Sequence, residues 1–114
     1  MTPRIAPLAQ GVFWVTTGLW PIVHLRSFEA VTGRKRDRWL VQTVGGLITA
    51  VGAALLVGAF ERRRSAALKT LGIASASALA AADIYFAGRR RISPVYLVDA
   101  GIEAGFVAVW LATE

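Results

Sequence analysis

From Trp39 to Phe60 the chain carries no charged residue, and arginine clusters stand on both sides of that stretch. About 20 mostly apolar residues are needed to cross roughly 30 Å of hydrocarbon, so this block has the length and character of a membrane span. Three further apolar blocks repeat the pattern. They run from about 6 to 28, 66 to 87 and 94 to 113, each separated from the next by basic residues. Few residues are left for loops. In lipid every backbone polar group must find its partner within the protein, which for segments of this length means helices. The fold expected is a single all-α domain over residues 1–114, an integral membrane bundle of four transmembrane helices running up and down with short basic loops.

Composition agrees with that reading. Hydrophobic residues make up 55% of the chain and charged residues 18%, against about 25% charged in ordinary soluble domains. There is no cysteine and one histidine, which excludes disulfides, thiolate metal sites and thiol nucleophiles. No cleavage site of small residues follows the first block, so it reads as a retained span and not a signal peptide. The punctuation fits helices: Thr32-Gly33 closes the first connection, Asp37 and Ser65 stand where N-caps are needed, and Ser93-Pro94 is a cap followed by proline. Pro21 lies inside the first span, removes one backbone donor and predicts a kink there.

Orientation follows from the positive charges. The first and third loops with their flanks hold Arg26, Arg34, Lys35, Arg36, Arg38, Arg89, Arg90 and Arg91, whereas the other side holds Arg4, Arg62, Arg63, Arg64 and Lys69. The excess places the first and third loops in the cytoplasm of a bacterial-type inner membrane. The net charge of +6 then serves topology and contact with anionic lipid headgroups. Because the arginines are divided between two membrane surfaces, they do not form a nucleic-acid face.

Small residues mark helix contacts in lipid, where close packing drives association. The second span carries Gly46, Ala50, Ala54 and Gly58 at four-residue spacing, the third is nearly all small between Gly72 and Ala82, and the fourth carries Gly101 and Gly105. These stripes predict tight packing within the bundle, with a homodimer through Gly46/Ala50/Ala54/Gly58 or Gly101/Gly105 as the alternative.

The polar residues converge on one end. An ionisable side chain inside a span is costly and marks a functional site by default. Asp83 is expected roughly 6 Å inside the end of the third span and Asp99 at a similar depth in the fourth, while Glu103 is about 13 Å deep. At 100° per residue Asp83 shares a face with Gly72, Ala76, Leu79 and Ala80. Tyr96, Asp99, Glu103, Phe106 and Trp110 share another, opposite the glycine pair. In the first span Gln10, Phe13, Thr17, Trp20 and His24 fall on one face, and in the second Gln42 and Thr49 fall with Gly46. The site expected is an acidic pocket, aromatic deeper down, built from Asp83, Asp99, Glu103, His24, Tyr96, Gln42, Trp20 and Trp110. It suits an amphiphilic or cationic small molecule, whose charge the aromatic rings would also attract. If the molecule is transported, protonation of Glu103 or Asp83 is the coupling step. The alternative is that Asp83 and Asp99 pair with Arg26, Arg38 or the 89–91 cluster and only pin helix ends.

Two other functions compete with ligand binding: an accessory or scaffold subunit without chemistry, and a membrane enzyme using paired carboxylates as acid and base on a lipid-like substrate. No GxSxG, HExxH or phosphate-cradling loop is present, no spacing such as ExxH supports a metal site, and nothing calls for a cofactor.

Overall fold

The computed structural model describes residues 4–33, 37–61, 65–89 and 92–112. The described residues are helical with no strand among them: α1 (Ile5–Val23), α2 (Leu25–Thr32), α3 (Arg38–Ala59), α4 (Ala66–Gly88) and α5 (Tyr96–Ala112). The arginine-rich segments 34–36, 62–64 and 90–91, on which the orientation rests, lie outside the described residues, as does Thr113.

Three of the four expected blocks appear as helices within a residue or two of their sequence limits. The first block differs. It is broken at His24, with φ −147° and ψ 78°, into α1 and the short α2. Pro21 weakens the last turn, but the helix continues until the His24 amide bonds the Trp20 carbonyl at 2.8 Å. Beyond that point other partners offer better bonds than a continued helix. Gln42 Nε2 donates to the Pro21 carbonyl at 3.2 Å, and the His24 ring accepts from the Ser27 amide at 3.2 Å, so His24 caps a new helix. Gly33 follows α2 with φ 96°, a region open to glycine at little steric cost.

The other caps divide. Ser65 Oγ accepts from the Leu68 amide at 2.9 Å, whereas Asp37 stands at the α3 N-cap without a side-chain bond. Pro94 sits in a turn of i→i+3 bonds ahead of α5 instead of opening the α-helix itself. Loss of an N-cap hydroxyl costs about 1 kcal/mol, so Ser65→Ala is expected to lower the unfolding midpoint in detergent by a few degrees. An unchanged midpoint would remove the cap from the account of α4.

The closest helix pair is α1 against α3, antiparallel. Gly11 and Gly18 on α1, two turns apart, meet Gly52 and Gly45 on α3. A Cβ on Gly18 would lie 2.6 Å from the Gly45 carbonyl oxygen, and one on Gly52 would lie 3.0 Å from the Gly11 oxygen. The two backbones therefore touch, which is the close approach small residues permit. The sequence stripe Gly46/Ala50/Ala54/Gly58 is not this seam. Gly46 has open space around its Cα, Ala50 and Ala54 are exposed, and only Gly58 packs inward, against Leu68 of α4. Gly101 and Gly105 likewise face open space. The expectation that both stripes pack within the bundle is corrected accordingly.

The hairpin of α4 and α5 packs Gly72 against the Trp110 indole. The two hairpins meet at the end formed by the start of α1 and the end of α5. There Ala6, Leu55, Leu68 and Trp110 form the core, flanked by Val51, Leu71, Ile73 and Val109. Toward the opposite end they separate. By length and composition α3 and α4 can each cross a membrane, and α3, at 22 residues, extends about 33 Å.

Candidate functional site

A cavity of about 670 Å³ occupies the end where the hairpins separate. Each helix contributes a wall: Phe13, Trp14, Thr17 and Trp20 from α1; Phe28, Val31 and Thr32 from α2; Val41, Val44 and Ile48 from α3; Leu79, Asp83 and Phe86 from α4; and Tyr96, Asp99, Ile102 and Glu103 from α5. The walls are apolar and rich in rings. The break at His24 matters here because α2 then lines the cavity, where Phe28 meets Trp20 edge-on with ring centres 5.3 Å apart. Lower down, Phe13 of α1 and Phe106 of α5 are 5.7 Å apart.

Against these walls stand three carboxyl groups from two helices. Asp99 and Glu103 are one turn apart on α5, and the Asp99 carboxyl lies within hydrogen-bonding reach of both Asp83 and Glu103. Glu103 is 1% exposed and its Oε1 accepts from the Trp14 indole at 2.9 Å. Asp83 is 6% exposed, and no donor among the described residues reaches its Oδ2. The pairing of these acids with basic residues does not occur among the described residues. Arg38 pairs instead with Glu29 at 3.2 Å, and the Arg89 guanidinium lies over the Tyr85 ring, 5.5 Å from its centre. Arg90 and Arg91 lie outside the described residues.

A second polar cluster closes the opposite end. Gln10 is fully buried, accepts from Trp110 Nε1 at 2.7 Å and donates to the Gly72 carbonyl at 3.1 Å, with Ser75 Oγ at 3.4 Å. A buried indole N–H needs an acceptor, and here each of two tryptophans finds one across the α1–α5 boundary: Trp14 on Glu103, Trp110 on Gln10. The helices run antiparallel, so these crossed pairs set the depth of α5 against α1.

Of the eight residues expected at the site, Asp83, Asp99, Glu103, Tyr96 and Trp20 line the cavity. The other three stand elsewhere. His24 is exposed at the helix break with its ring on Ser27, Gln42 holds the Pro21 carbonyl, and Trp110 is in the closed end on Gln10. Sequence reading missed Trp14 as the Glu103 donor, and it missed the wall supplied by α2. The first was accessible in principle, since Trp14 lies one turn from Gln10 and a mid-span indole must find an acceptor. The second was not, because it depends on the chain breaking at His24.

Chemically, the arrangement can hold a compact apolar body beside an acidic patch. Among the described residues no group of three or more His, Asp or Glu side chains is placed to hold a metal ion. Fold and site together define a small all-helical protein with an acid-ended apolar cavity. Comparison of the chain with family models, with curated proteins and with solved structures returned no match.

Proposed function

We propose that the chain is a four-span membrane protein, with α1, α3, α4 and α5 as the spans, whose cavity binds an amphiphilic or cationic small molecule. The observation that carries this reading is a buried Asp83 carboxyl, lining an apolar cavity between two hairpins, whose Oδ2 has no hydrogen-bond partner among the described residues. The membrane location is supported by the outer faces: Val12 and Leu19 of α1, Leu47 and Val57 of α3, Ile84 of α4, and Leu97 and Leu111 of α5 are all exposed. Soluble monomers rarely expose apolar surface that continuously. The positive-inside rule orients the basic segments 34–36 and 90–91 toward the cytoplasm of a bacterial-type inner membrane, with anionic headgroups as lipid partners. Transport of the ligand, coupled to protonation of Glu103 or Asp83, extends the same proposal.

The test is native mass spectrometry of protein extracted gently from its own membranes, beside the double variant Asp83→Asn/Glu103→Gln. The glutamine keeps an oxygen for the Trp14 indole, so the variant is expected to fold. A discrete small-molecule adduct is expected on the unaltered protein and not on the variant. No adduct on either folded protein would end the binding reading.

A second reading has its own observation. Gly101 and Gly105 form an unopposed groove on the outer face of α5, and Gly46 with Ala50 and Ala54 forms another on α3. Such faces suit close approach by another span, in a homodimer or as an accessory subunit. A stoichiometric protein partner in the same spectrum would favour it.

A further inference from the structure

We infer that the ligand of this cavity is a protonated amine with an apolar or aromatic body, its ammonium group seated between Asp83 and Asp99. This rests on the reading of the cavity as a binding site. Three observations carry the ligand class.

The first is the unmet acceptor. Asp83 lines the cavity at 6% exposure and its Oδ2 has no donor among the described residues. Burying such an oxygen without a partner is unfavourable, and an N–H donor on a ligand would remove the penalty. That oxygen has almost no accessible surface as it stands, but the terminal torsion of an aspartate is broad, and rotation about it brings the oxygen to the cavity while the residue keeps its helix face. Glu103 differs, because the Trp14 indole already occupies it. The demand for a donor therefore lies at the Asp83–Asp99 end.

The second is the direction of the local charge. Three carboxyl groups lie together, and the arginines described nearby are engaged with Glu29 and with the Tyr85 ring. An anionic headgroup would meet like charge there, and a neutral one would leave it unbalanced. A hard divalent cation wants six or more oxygens, and the remaining walls are hydrocarbon and rings apart from Thr17 and Thr32, whose hydroxyls donate to carbonyls of their own helices.

The third is the shape. A volume of about 670 Å³ falls within the range of about 300–1,000 Å³ typical of small-molecule sites. The rings of Trp20, Phe28 and Tyr96 give a face on which an aromatic body packs and a cation is attracted. A quaternary ammonium has the charge and no N–H, so it cannot satisfy Asp83 as an amine does.

The test uses the full chain in nanodiscs of zwitterionic lipid, titrated with four probes that share one body: 4-phenylbutylamine, its trimethylammonium analogue, 4-phenylbutanol and 4-phenylbutyrate. Binding is read by calorimetry. The amine is expected to bind about tenfold or more tighter than the alcohol, with the quaternary analogue weaker than the amine and the carboxylate weakest. In Asp83→Asn the amine is expected to lose its advantage over the alcohol. Continued binding of the alcohol, at whatever strength, shows that the variant cavity is intact. An alcohol or quaternary probe that matches the amine, or an amine advantage that survives in Asp83→Asn, would overturn the amine assignment and leave the cavity reading standing. If no probe binds and no adduct is carried from the native membrane, the cavity reading itself fails.

Discussion

Gly18→Val is expected to separate α1 from α3 and to lower the thermal midpoint by roughly 10 °C or more, from a loss of about 3 kcal/mol. The magnitude follows from what the new side chain meets. Its Cβ would lie 2.6 Å from the Gly45 carbonyl oxygen and 2.8 Å from the Thr49 amide nitrogen. Both are backbone atoms of a helix, so no rotamer change relieves the clash and the whole helix must move. Moving it also draws Gly11 away from Gly52 and opens the α1–α3 wall of the cavity. The controls are Gly46→Val and Gly101→Val, where the added groups enter open space and the monomer fold is expected to be unaffected. Size-exclusion profiles and unfolding midpoints in one detergent compare the three. A stable Gly18→Val beside an unstable Gly46→Val would mean that α3 meets α1 through its other face.

Trp14→Phe is the second substitution with a large expected effect. It keeps most of the ring volume and removes the donor on which Glu103 Oε1 rests at 2.9 Å. Trp14 is 3% exposed and Glu103 1%, so water does not replace the lost bond. Stranding a buried acceptor in this way costs about 1–3 kcal/mol. Removing both partners is much cheaper, so Trp14→Phe/Glu103→Leu is expected to be more stable than Trp14→Phe alone. Glu103→Leu completes the double-mutant cycle, and unfolding midpoints give the coupling directly. Strict additivity of the two substitutions would show that the pair does not bind α1 to α5. The Gln10–Trp110 bond is untouched in this series, so the closed end stays as a fixed reference.

These two substitutions also separate what local pattern can tell from what it cannot. The burial of Glu103, and the shared inward face of Gly72, Ala76 and Asp83, follow from counting 100° per residue along helices whose limits the apolar blocks already mark. The seam between α1 and α3 does not follow. Both Gly45 and Gly46 sit in one turn of α3, and the four-residue stripe beginning at Gly46 is the more regular pattern, yet Gly45 and Gly52 make the contact. A rotation of one residue's phase decides between them, and it is set by the partner surface, where Gly11 and Gly18 repeat at the same seven-residue interval. His24 shows the same limit. Its phase on a continuous helix points it at the acids, but the helix ends there once Gln42 takes the Pro21 carbonyl, and the histidine turns to Ser27 and solvent.

Local pattern alone makes this chain helical and apolar, marks where its helices begin and end apart from the break after Val23, and gathers Asp83, Asp99 and Glu103 at one end. Those properties are local: they depend on composition, capping residues and the 3.6-residue period, and each helix carries them alone. Tertiary packing settles which glycines touch, that Trp14 and Gln10 tie α1 to α5, that α2 lines a cavity, and that Asp83 beside it keeps an oxygen with no partner among the described residues. Those properties belong to pairs of surfaces. They depend on the rotation and depth at which two helices come to rest, which backbone contact and crossed hydrogen bonds settle only after the chain has folded.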